Sequence, residues 1–243
     1  MSEEPTAIRP LAAATIRTQV ELPLRFADGY TTDARVFSFD GLVDGREHLA
    51  FALGDLTAPH SADDRRVPLI RPHSECLTGD VFGSQRCDCG PQLREAVERI
   101  AEAGGYLLYL RQEGRGIGLY SKLEAYALQD AGIDTYDANL ALGHDEDERR
   151  YAAASQMLLA LGVSRVALLS NNPDKARQLR SCGVTVVEQV PTGVYVSAAN
   201  HRYLETKARR GRHTLELPSV LRDDDDRSLF SGLSEVRVSG RTR

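Results

Sequence analysis

The sequence predicts an α+β fold, a mixed sheet in which N-terminal strands are followed by alternating strands and helices. Two observations support this prediction. Up to about residue 56, short alternating segments are separated by turn signals. After residue 89, segments with apolar residues at i, i+3, i+4 and i+7 alternate with short apolar runs. The 243 residues, 42% of them hydrophobic, suffice for one substantial core or for two small cores that share an interface.

The first part of the chain is predicted to be rich in strands. Asp28-Gly29 and Asp40-Gly41 mark turns between segments in which apolar and polar residues alternate. Residues 57–66 are predicted to form a polar loop. The predicted strands are 18–22, 34–37, 48–53 and 67–70, the last of which leads directly into Arg71.

The second part is predicted to alternate between helices and buried strands. Gly104-Gly105 should end the helix that follows Cys89, and Asn172-Pro173 matches an N-cap followed by proline at the first helical position. Helices are predicted after Cys89, over 119–130, around 154–161, from Asn172 to near Gly183, and over 198–210. Strands are predicted over 106–110, 166–169 and 185–190.

The ends of the chain are expected to lie outside the folded domain. Residues 1–15 are predicted to be a flexible segment and 16–214 the folded part. Periodicity is lost from about residue 217, where a run of aspartates and a Ser/Gly/Arg-rich end follow, so 215–243 is predicted to be a disordered tail.

Composition narrows the class of protein. The net charge of −5 and the lack of a dominant basic stripe argue against a nucleic-acid binder. No run approaches the roughly 20 apolar residues of a membrane span, and the N-terminus lacks a signal-peptide pattern, so a cytoplasmic protein without a membrane partner is expected. In a reducing compartment, four cysteines favour metal binding or catalysis over disulfides.

Three cysteines, Cys76, Cys87 and Cys89, lie within fourteen residues. They could be three separate buried thiols, but polar neighbours and glycines make the segment look like a loop that binds a metal. Three thiolates favour zinc, and three protein ligands leave one position open for a water whose pKa the metal would lower. His73 could instead close the site, and Cys182 is interpreted as a packing residue.

A glycine-rich segment, 111–119, follows a buried strand and opens a helix. It could be an ordinary turn, but helix N-termini favour anions, and Arg111 and Arg115 could grip a phosphate. Glu113 could accept two N–H groups of a guanine edge. Two further segments, 145–151 and 170–175, are read either as plain helix starts or as parts of a site.

Basic residues recur at the predicted strand ends and helix starts, where α/β sheets form binding crevices. A metal-activated water beside such a cluster predicts hydrolysis of a phosphorylated compound. The residues are Arg71, Arg111, Arg115, Arg149 and Lys175.

From about residue 16 to 214, the sequence resembles the GTP cyclohydrolase II family. Several long motifs occur in the family's order, which makes the resemblance specific. They are Arg71-Pro72-His73-Ser74-Glu75-Cys76-Leu77-Thr78-Gly79-Asp80, Cys87-Asp88-Cys89-Gly90, Arg111-Gln112-Glu113-Gly114-Arg115, Tyr126-Ala127-Leu128-Gln129-Asp130 and Asn171-Asn172-Pro173.

The resemblance implies a zinc-dependent first step of riboflavin biosynthesis. GTP would be opened at its imidazole ring, with release of C8 as formate and of pyrophosphate, and zinc on the three cysteines would act at C8. Asp147 would be the proton acceptor and Arg149 the nucleophile on the α-phosphorus, although a guanidinium pKa above ~12 makes charge stabilisation an alternative role for Arg149. Mg²⁺ would accompany the phosphates, and the protein would be a homodimer.

The resemblance also implies a set of substrate contacts. Tyr126 matches an active-site tyrosine that is changed in relatives stopping at a formylated product, so its presence favours the complete reaction. Ser170 and Asp174 depart from the threonine and the basic residue common in the family. The alternatives are a paralogue that serves secondary metabolism or stops at the formylamino intermediate, and a non-catalytic nucleotide-binding zinc protein. The implied contacts are Arg71, Pro72, His73, Ser74, Glu75, Gln92, Glu113, Gly114, Arg115, Thr135, Ser170 and Lys175.

Overall fold

A seven-stranded mixed sheet organises the protein in a computed structural model that describes residues 12–56, 67–145, 147–197, 199–200 and 236–238. The strand order across the sheet is β1-β2-β3-β5-β4-β6-β7. The strands are β1 (Thr15–Arg25), β2 (Thr31–Asp40), β3 (Leu49–Leu53), β4 (Leu69–Ser74), β5 (Gly105–Leu110), β6 (Arg165–Leu169) and β7 (Thr185–Val190).

Helices connect the later strands. Two short strands outside the main sheet, β8 (Val194–Val196) and β9 (Val236–Val238), pair in antiparallel fashion. The helices are α1 (Leu77–Asp80), α2 (Cys89–Ala103), the 3₁₀ turn η1 (Glu113–Gly116), α3 (Leu119–Asp130), α4 (Thr135–Ala141), α5 (Ala152–Ala160) and α6 (Pro173–Ser181).

The sheet has an antiparallel half and a parallel half, which confirms the predicted α+β class. Strands β1, β2, β3 and β5 pair antiparallel, whereas β4 pairs parallel with β5 and β6, and β6 with β7. The chain passes from β4 to β5 on one side and later to β6 on the other side of β4. A crevice is expected at the carboxyl ends of strands where the direction of winding reverses in this way.

Cores pack on both faces of the central strands, because side chains alternate along each strand. On one face, Leu108 and Leu168 pack in a core that contains Met157 of α5 and Leu179 of α6. On the other face, a second core contains the α2 residues Ala96, Val97 and Ile100 with Leu53, Leu107 and Leu169. These contacts fix α2 and α6, whose first residues reach the crevice.

Strand β4 extends further than the predicted 67–70. It pairs with β5 as far as Ser74, so that Arg71 and His73 are strand residues rather than loop residues. Pro72 is tolerated because its missing N–H would point toward β6, and the pairing with β6 ends at Ile70. The extension buries the first part of the polar motif in the sheet.

Two further predictions differ from the structure. Residues 147–150 are not helical, and α5 begins only at Ala152, so the alternative of a helix start over 145–151 is wrong. Helix α4 lies in a stretch without a predicted element. The other predicted strands are present, as are the helices that follow Cys89 and Asn172 and those near 119–130 and 154–161.

Several predictions fall outside the described residues, namely the loop 57–66, almost all of the helix 198–210, and most of the segments 1–15 and 215–243. Of residues 215–243, the structure describes only 236–238, which form β9. In the part of the chain that the structure describes, no helix has the length and apolar character needed to cross a bilayer.

Candidate metal centre and substrate cleft

Three cysteine sulfurs meet beside the carboxyl end of β4. Cys76 precedes α1, Cys87 lies in the turn before α2, and Cys89 is the first residue of α2. The Sγ atoms of Cys76 and Cys87 are 3.6 Å apart, and all three sulfurs lie within 4.8 Å of one another. A tetrahedral zinc with Zn–S bonds of ~2.3 Å would hold its sulfurs ~3.8 Å apart. The three cysteines therefore form a possible metal site.

Two glycines make room for this cluster. A Cβ atom at Gly79 would lie 2.8 Å from the Cys87 sulfur and 3.1 Å from the Cys76 sulfur. A Cβ atom at Gly90 would lie 2.5 Å from the carbonyl oxygen of Gly79. Helices α1 and α2 consequently approach each other through glycines, which lets both deliver cysteines to one point.

The cysteines are more buried than their polar neighbours predicted, since Cys76 is 6% and Cys87 7% exposed. Their sulfurs nevertheless form one cluster, unlike the three separate buried thiols of the alternative interpretation. Hydrogen bonds with the other two thiols lower the pKa of Cys76. The bond to Cys76 raises the pKa of Cys87 to about 12, and the bonds to Cys76 and Cys87 raise the pKa of Cys89 well above its usual value. The three thiols are therefore close enough for the protonation of each to affect the others.

His73 does not join the cysteines. Its Nε2 atom lies 3.2 Å from both carboxylate oxygens of Asp80, and its ring stacks on Tyr109. Burial lowers the pKa of His73 despite this contact. Asp80 also accepts hydrogen bonds from the Tyr109 hydroxyl at 2.9 Å and the Cys76 backbone at 3.0 Å. Over the described residues, the possible metal group contains three ligand atoms, which leaves a fourth tetrahedral position open.

A cationic cleft of about 610 Å³ opens at the carboxyl ends of β4 and β6. Arg71 is its most buried cation at 4% exposed, and burial lowers its pKa. Its Nη2 donates to Gln92 at 2.8 Å, whereas its buried Nε has no hydrogen-bond partner. A buried cation with an unsatisfied donor favours an anionic ligand. The lining residues are Arg71, His73, Ser74, Cys89, Gln92, Arg115, Arg149, Ser170, Asn171, Asn172, Lys175 and Thr192.

Helix α6 points its N-terminus at this cationic cleft. Asn172 caps the helix by accepting from the backbone of Asp174, and the Nζ atom of Lys175 donates to the Pro72 carbonyl at 2.7 Å. The carboxylate of Asp174 accepts from Arg177 and Gln178 and does not line the cleft. Asp174, which replaces the basic residue common in the family, therefore does not displace the cations that line the cleft.

A second cleft of about 640 Å³ contains the cysteine cluster. The two clefts adjoin, because Ser74, Cys89, Arg115 and Arg149 line both. A ligand with an anionic end and an uncharged ring could occupy them together. The second cleft is lined by Ser74, Glu75, Cys76, Cys87, Cys89, Glu113, Gly114, Arg115, Ile117, Lys122, Ala125, Tyr126, Gln129, Asn139 and Arg149.

The carboxylate of Glu113 is largely occupied by protein donors. It accepts from the backbone of Leu77 at 2.6 Å, the backbone of Gly114 at 2.9 Å and the Nζ of Lys122 at 2.8 Å. A carboxylate offers about four acceptor sites, so too few remain for the two N–H groups of a guanine edge. This geometry argues that Glu113 braces η1 rather than reads a base.

The turn η1 has an unusual backbone. Arg115 adopts φ 62°, a left-handed value that is rare outside glycine and often found at functional sites. A Cβ atom at Gly116 would lie 2.9 Å from the Cβ of Glu148, and the Arg115 carbonyl accepts from the Glu148 backbone at 2.9 Å. The turn thereby holds the segment 147–150 against the cleft.

Asp147 and Arg149 form a two-point ion pair. The Nε atom of Arg149 donates to Asp147 Oδ1 at 2.8 Å, its Nη2 donates to Oδ2, and its backbone N–H also donates to Oδ1. Desolvation acts to raise the pKa of Asp147, but the hydrogen bonds and charge of Arg149 outweigh it and lower that pKa. Both groups are therefore charged, and Arg149 lines both clefts.

Two other expected residues differ in their surroundings. Tyr126 lines the second cleft beneath Arg86, whose guanidinium carbon is 4.4 Å from the ring centroid, and burial raises the Tyr126 pKa. Arg111 was expected to grip phosphate, but its Nε donates to Glu75 at 2.9 Å and it lines neither cleft. Thr135 begins α4, and its side chain lies outside the described part of the structure.

Sequence reasoning missed several lining residues. Lys122 and Gln129 share the inner face of α3 with Ala125 at helical spacing, but that spacing does not by itself indicate a site. Asn139 lies on α4, which was not predicted at all. The lining residues to which the sequence assigned no role are Lys122, Ala125, Gln129, Asn139 and Thr192.

Comparisons with known proteins agree on one family. A family model described as GTP cyclohydrolase II matches residues 17–191. The chain is 50% identical over 187 residues to GTP cyclohydrolase-2 of Vibrio vulnificus (76% of this chain, 91% of the relative). It is 44% identical over 202 residues to GTP cyclohydrolase-2 of Psychromonas ingrahamii (83% and 98%). It is also 52% identical over 182 residues to the riboflavin biosynthesis protein RibBA of Bacillus velezensis (74% and 44%).

Proposed function

The chain belongs to the GTP cyclohydrolase II family, and we propose that it catalyses the first step of riboflavin biosynthesis from GTP. The reaction opens the imidazole ring and releases formate and pyrophosphate to give 2,5-diamino-6-ribosylamino-4(3H)-pyrimidinone 5′-phosphate. One observation carries the proposal: a cleft with three clustered cysteine sulfurs adjoins a cleft lined by Arg71, Arg115, Arg149 and Lys175. The cysteine-containing cleft suits ring opening, and the cationic cleft suits a triphosphate.

Zinc is the proposed metal, held by Cys76, Cys87 and Cys89. Three clustered thiol sulfurs are soft ligands, and their mutual distances, all within 4.8 Å, are compatible with a tetrahedral ion. Bound zinc would supply a Lewis acid for the attack of water at C8 of the purine. Since the described ligand set stops at three, an open position supports a catalytic rather than a purely structural metal.

The triphosphate is assigned to the cationic cleft and the purine to the cysteine-containing cleft. Arg71 and Lys175 would grip phosphate oxygens, and Gln92 would hold Arg71 in place. Mg²⁺ would travel with the phosphates and neutralise the departing pyrophosphate. The proposed contact set is that of the family resemblance, Arg71, Pro72, His73, Ser74, Glu75, Gln92, Glu113, Gly114, Arg115, Thr135, Ser170 and Lys175, with Pro72 and Glu113 acting through the residues they brace.

Asp147 is the proposed proton acceptor. While Arg149 holds it, its lowered pKa makes it a weak base. When Arg149 turns to the α-phosphate, Asp147 loses that stabilisation and becomes more basic. This supports Arg149 as a charge stabiliser, because a guanidinium paired with a carboxylate keeps its proton and has no free electron pair for attack.

Tyr126 supports the complete reaction over a halt at the formylamino product. Its hydroxyl keeps its proton, since burial raises its pKa, and it lines the cysteine-containing cleft. It can therefore donate a hydrogen bond to an oxygen that develops at C8.

We also propose a homodimer that works in the cytoplasm. All four cysteines are free thiols, which suits a reducing compartment. The face of β1 exposes Val20 at 52% and Leu22 at 42%. Such an apolar surface supports a second copy as the partner.

The test is an end-point assay with the purified, zinc-loaded chain, GTP and Mg²⁺. Mass spectrometry of the nucleotide product should show loss of formate and pyrophosphate, with both released in equal amounts. A product that retains the formyl mass would favour the truncated reaction. Unchanged GTP would overturn the proposal.

A further inference from the structure

Lys122 is a buried lysine whose ammonium group lies against the cysteine cluster. It sits on the inner face of α3 and is 8% exposed. Its Nζ donates to the Cys76 sulfur at 3.2 Å, the Thr78 hydroxyl at 2.9 Å and the Glu113 carboxylate at 2.8 Å. Three contacts use all three ammonium donors, so the orientation of the group is fixed.

Bracing Glu113 does not by itself account for this lysine. Glu113 already accepts from the backbone of Leu77, which ties η1 to the start of α1 without Lys122, and from the backbone of its own neighbour Gly114. The lysine stem runs past Gly114, where an added Cβ would lie 3.1 Å from the Lys122 Cβ. The turn is thus shaped to let the ammonium reach a sulfur that belongs to the metal site.

We propose that Lys122 is a positioning residue that holds the Cys76 sulfur by an N–H···S hydrogen bond and links the metal centre to the Glu113 turn. The inference rests on the proposed function to the extent that Cys76 is a zinc ligand. In this proposal Lys122 acts on the ion through the Cys76 sulfur rather than as a ligand.

Charge explains why such a contact matters. Zinc with three thiolate ligands carries one excess negative charge and is a poorer Lewis acid than zinc with neutral ligands. A cationic donor on one sulfur draws electron density from that ligand and keeps the ion electron-poor. Outer-shell hydrogen bonds to ligands commonly change metal binding or activity by about 10- to 100-fold.

The experiment replaces zinc with Co²⁺ and compares three variants of Lys122. Lys122→Met removes all donors, Lys122→Gln keeps a neutral donor, and Lys122→Arg keeps a cation. Loss of the hydrogen bond raises the energy of the sulfur lone pairs, so the sulfur-to-cobalt charge-transfer band should move to longer wavelength in Lys122→Met. The band of Lys122→Gln should lie between those of Lys122→Met and the parent protein, and the band of Lys122→Arg should lie nearest that of the parent protein.

GTP turnover gives a second, independent measurement. In the zinc proteins, kcat of Lys122→Met should fall by roughly 10- to 100-fold, with a smaller change in KM, and Lys122→Arg should restore part of the loss. Glu124→Gln is the matched control, because it changes the charge of the same helix at an exposed position away from the cluster. It should leave the band and kcat unchanged.

Each outcome decides the inference. A parental band position in folded Lys122→Met and Lys122→Gln overturns it, and if Lys122→Met fails to fold, the Gln and Arg variants decide by the same order of bands. A parent protein without any sulfur-to-cobalt band overturns this inference and the zinc proposal together. A parent protein that shows the band but leaves GTP intact overturns the proposed reaction, and the band series still decides the role of Lys122.

Discussion

At the scale of single residues, Asp147 and Arg149 restrain each other. The two-point contact keeps both charged and orients the guanidinium between the two clefts. In the proposed mechanism, this ion pair opens before Asp147 takes a proton, so phosphate binding would control the strength of the base. Guanosine, which lacks the phosphates, should therefore be a poor substrate, because no phosphate would draw Arg149 away from Asp147.

Replacing Asp147 with Asn separates binding from turnover. The amide keeps the shape but cannot accept a proton from water, so kcat should fall by roughly 10² to 10⁴. GTP binding should be retained, because the change removes a negative charge beside the phosphate cleft. Calorimetry with GTP and product mass measure the two effects. Asp145→Asn is the control at an exposed neighbour, and undiminished turnover in Asp147→Asn would refute the assigned role.

The pH dependence of Arg149→Lys follows from the same contact. Arg149 lowers the pKa of Asp147, whereas desolvation acts to raise it. Lysine loses the two-point hydrogen bond, so the Asp147 pKa should rise. Since the base must be deprotonated, the acid limb of kcat/KM should move to higher pH in the variant. A limb that stays in place, or moves to lower pH, would show that Asp147 is not the group titrated in the free enzyme.

Residue chemistry also explains which site residues the sequence could predict. Three cysteines in fourteen residues have few uses in a reducing compartment, so the possible metal site was identified from composition and spacing. Lys122 gave no such signal, because lysines are common on helices and nearly always solvated. Its role depends on a contact with a sulfur 46 residues away, which no local pattern contains.

At the scale of secondary-structure elements, α1 and η1 position the chemistry. Each is four residues long, too short for periodicity to detect. The longer α2 and α3 were predictable because their apolar residues repeat over several turns. Strand β4 was predicted two residues early at its start and four residues short at its end, because Arg71 and His73 look like loop residues until the parallel pairing with β5 is known.

Gly79→Ala tests the fit of α1 to the metal site. The added methyl group would lie 2.8 Å from the Cys87 sulfur and 3.1 Å from the Cys76 sulfur, so the cluster must widen. Bound zinc per chain, measured by elemental analysis after chelator dialysis, should fall well below that of the parent protein.

Gly83→Ala is the matched control for that change. Gly83 has φ 64° and open space around its Cα, so alanine there adds backbone strain of about 1–2 kcal/mol without touching a sulfur. It should lower thermal stability and keep the zinc. Equal zinc loss in both variants would mean that backbone strain, and not the sulfur contact, controls metal retention.

At the scale of the whole molecule, the two halves of the sheet have different surroundings. Helices cover the parallel half on both faces, and the site lies at its carboxyl edge. The sequence indicated this half through its alternating helices and strands, but not that β4 lies between β5 and β6, because strand order depends on long-range packing. The antiparallel half ends in β1 and packs against α5 on one face, whereas its other face is only partly covered.

The uncovered face of β1 predicts the dimer contact. Val20 pairs with Val36 and Leu22 with Ala34, so all four share the sheet face that α2 covers further along. Ala34 and Val36 are buried, whereas Val20 and Leu22 remain 52% and 42% exposed because no described helix reaches them. In a two-fold dimer, the same patch occurs on both copies, so one substitution disturbs the interface twice.

The double variant Val20→Lys/Leu22→Lys should therefore convert a dimer into a monomer. Two lysines per copy place four like charges in the contact, and light scattering behind size-exclusion chromatography should report half the parent mass. Val43→Lys is the control, since Val43 is 59% exposed but lies on the loop after β2. A variant that keeps the parent mass would move the interface away from β1, and a monomeric parent protein would overturn the proposed homodimer.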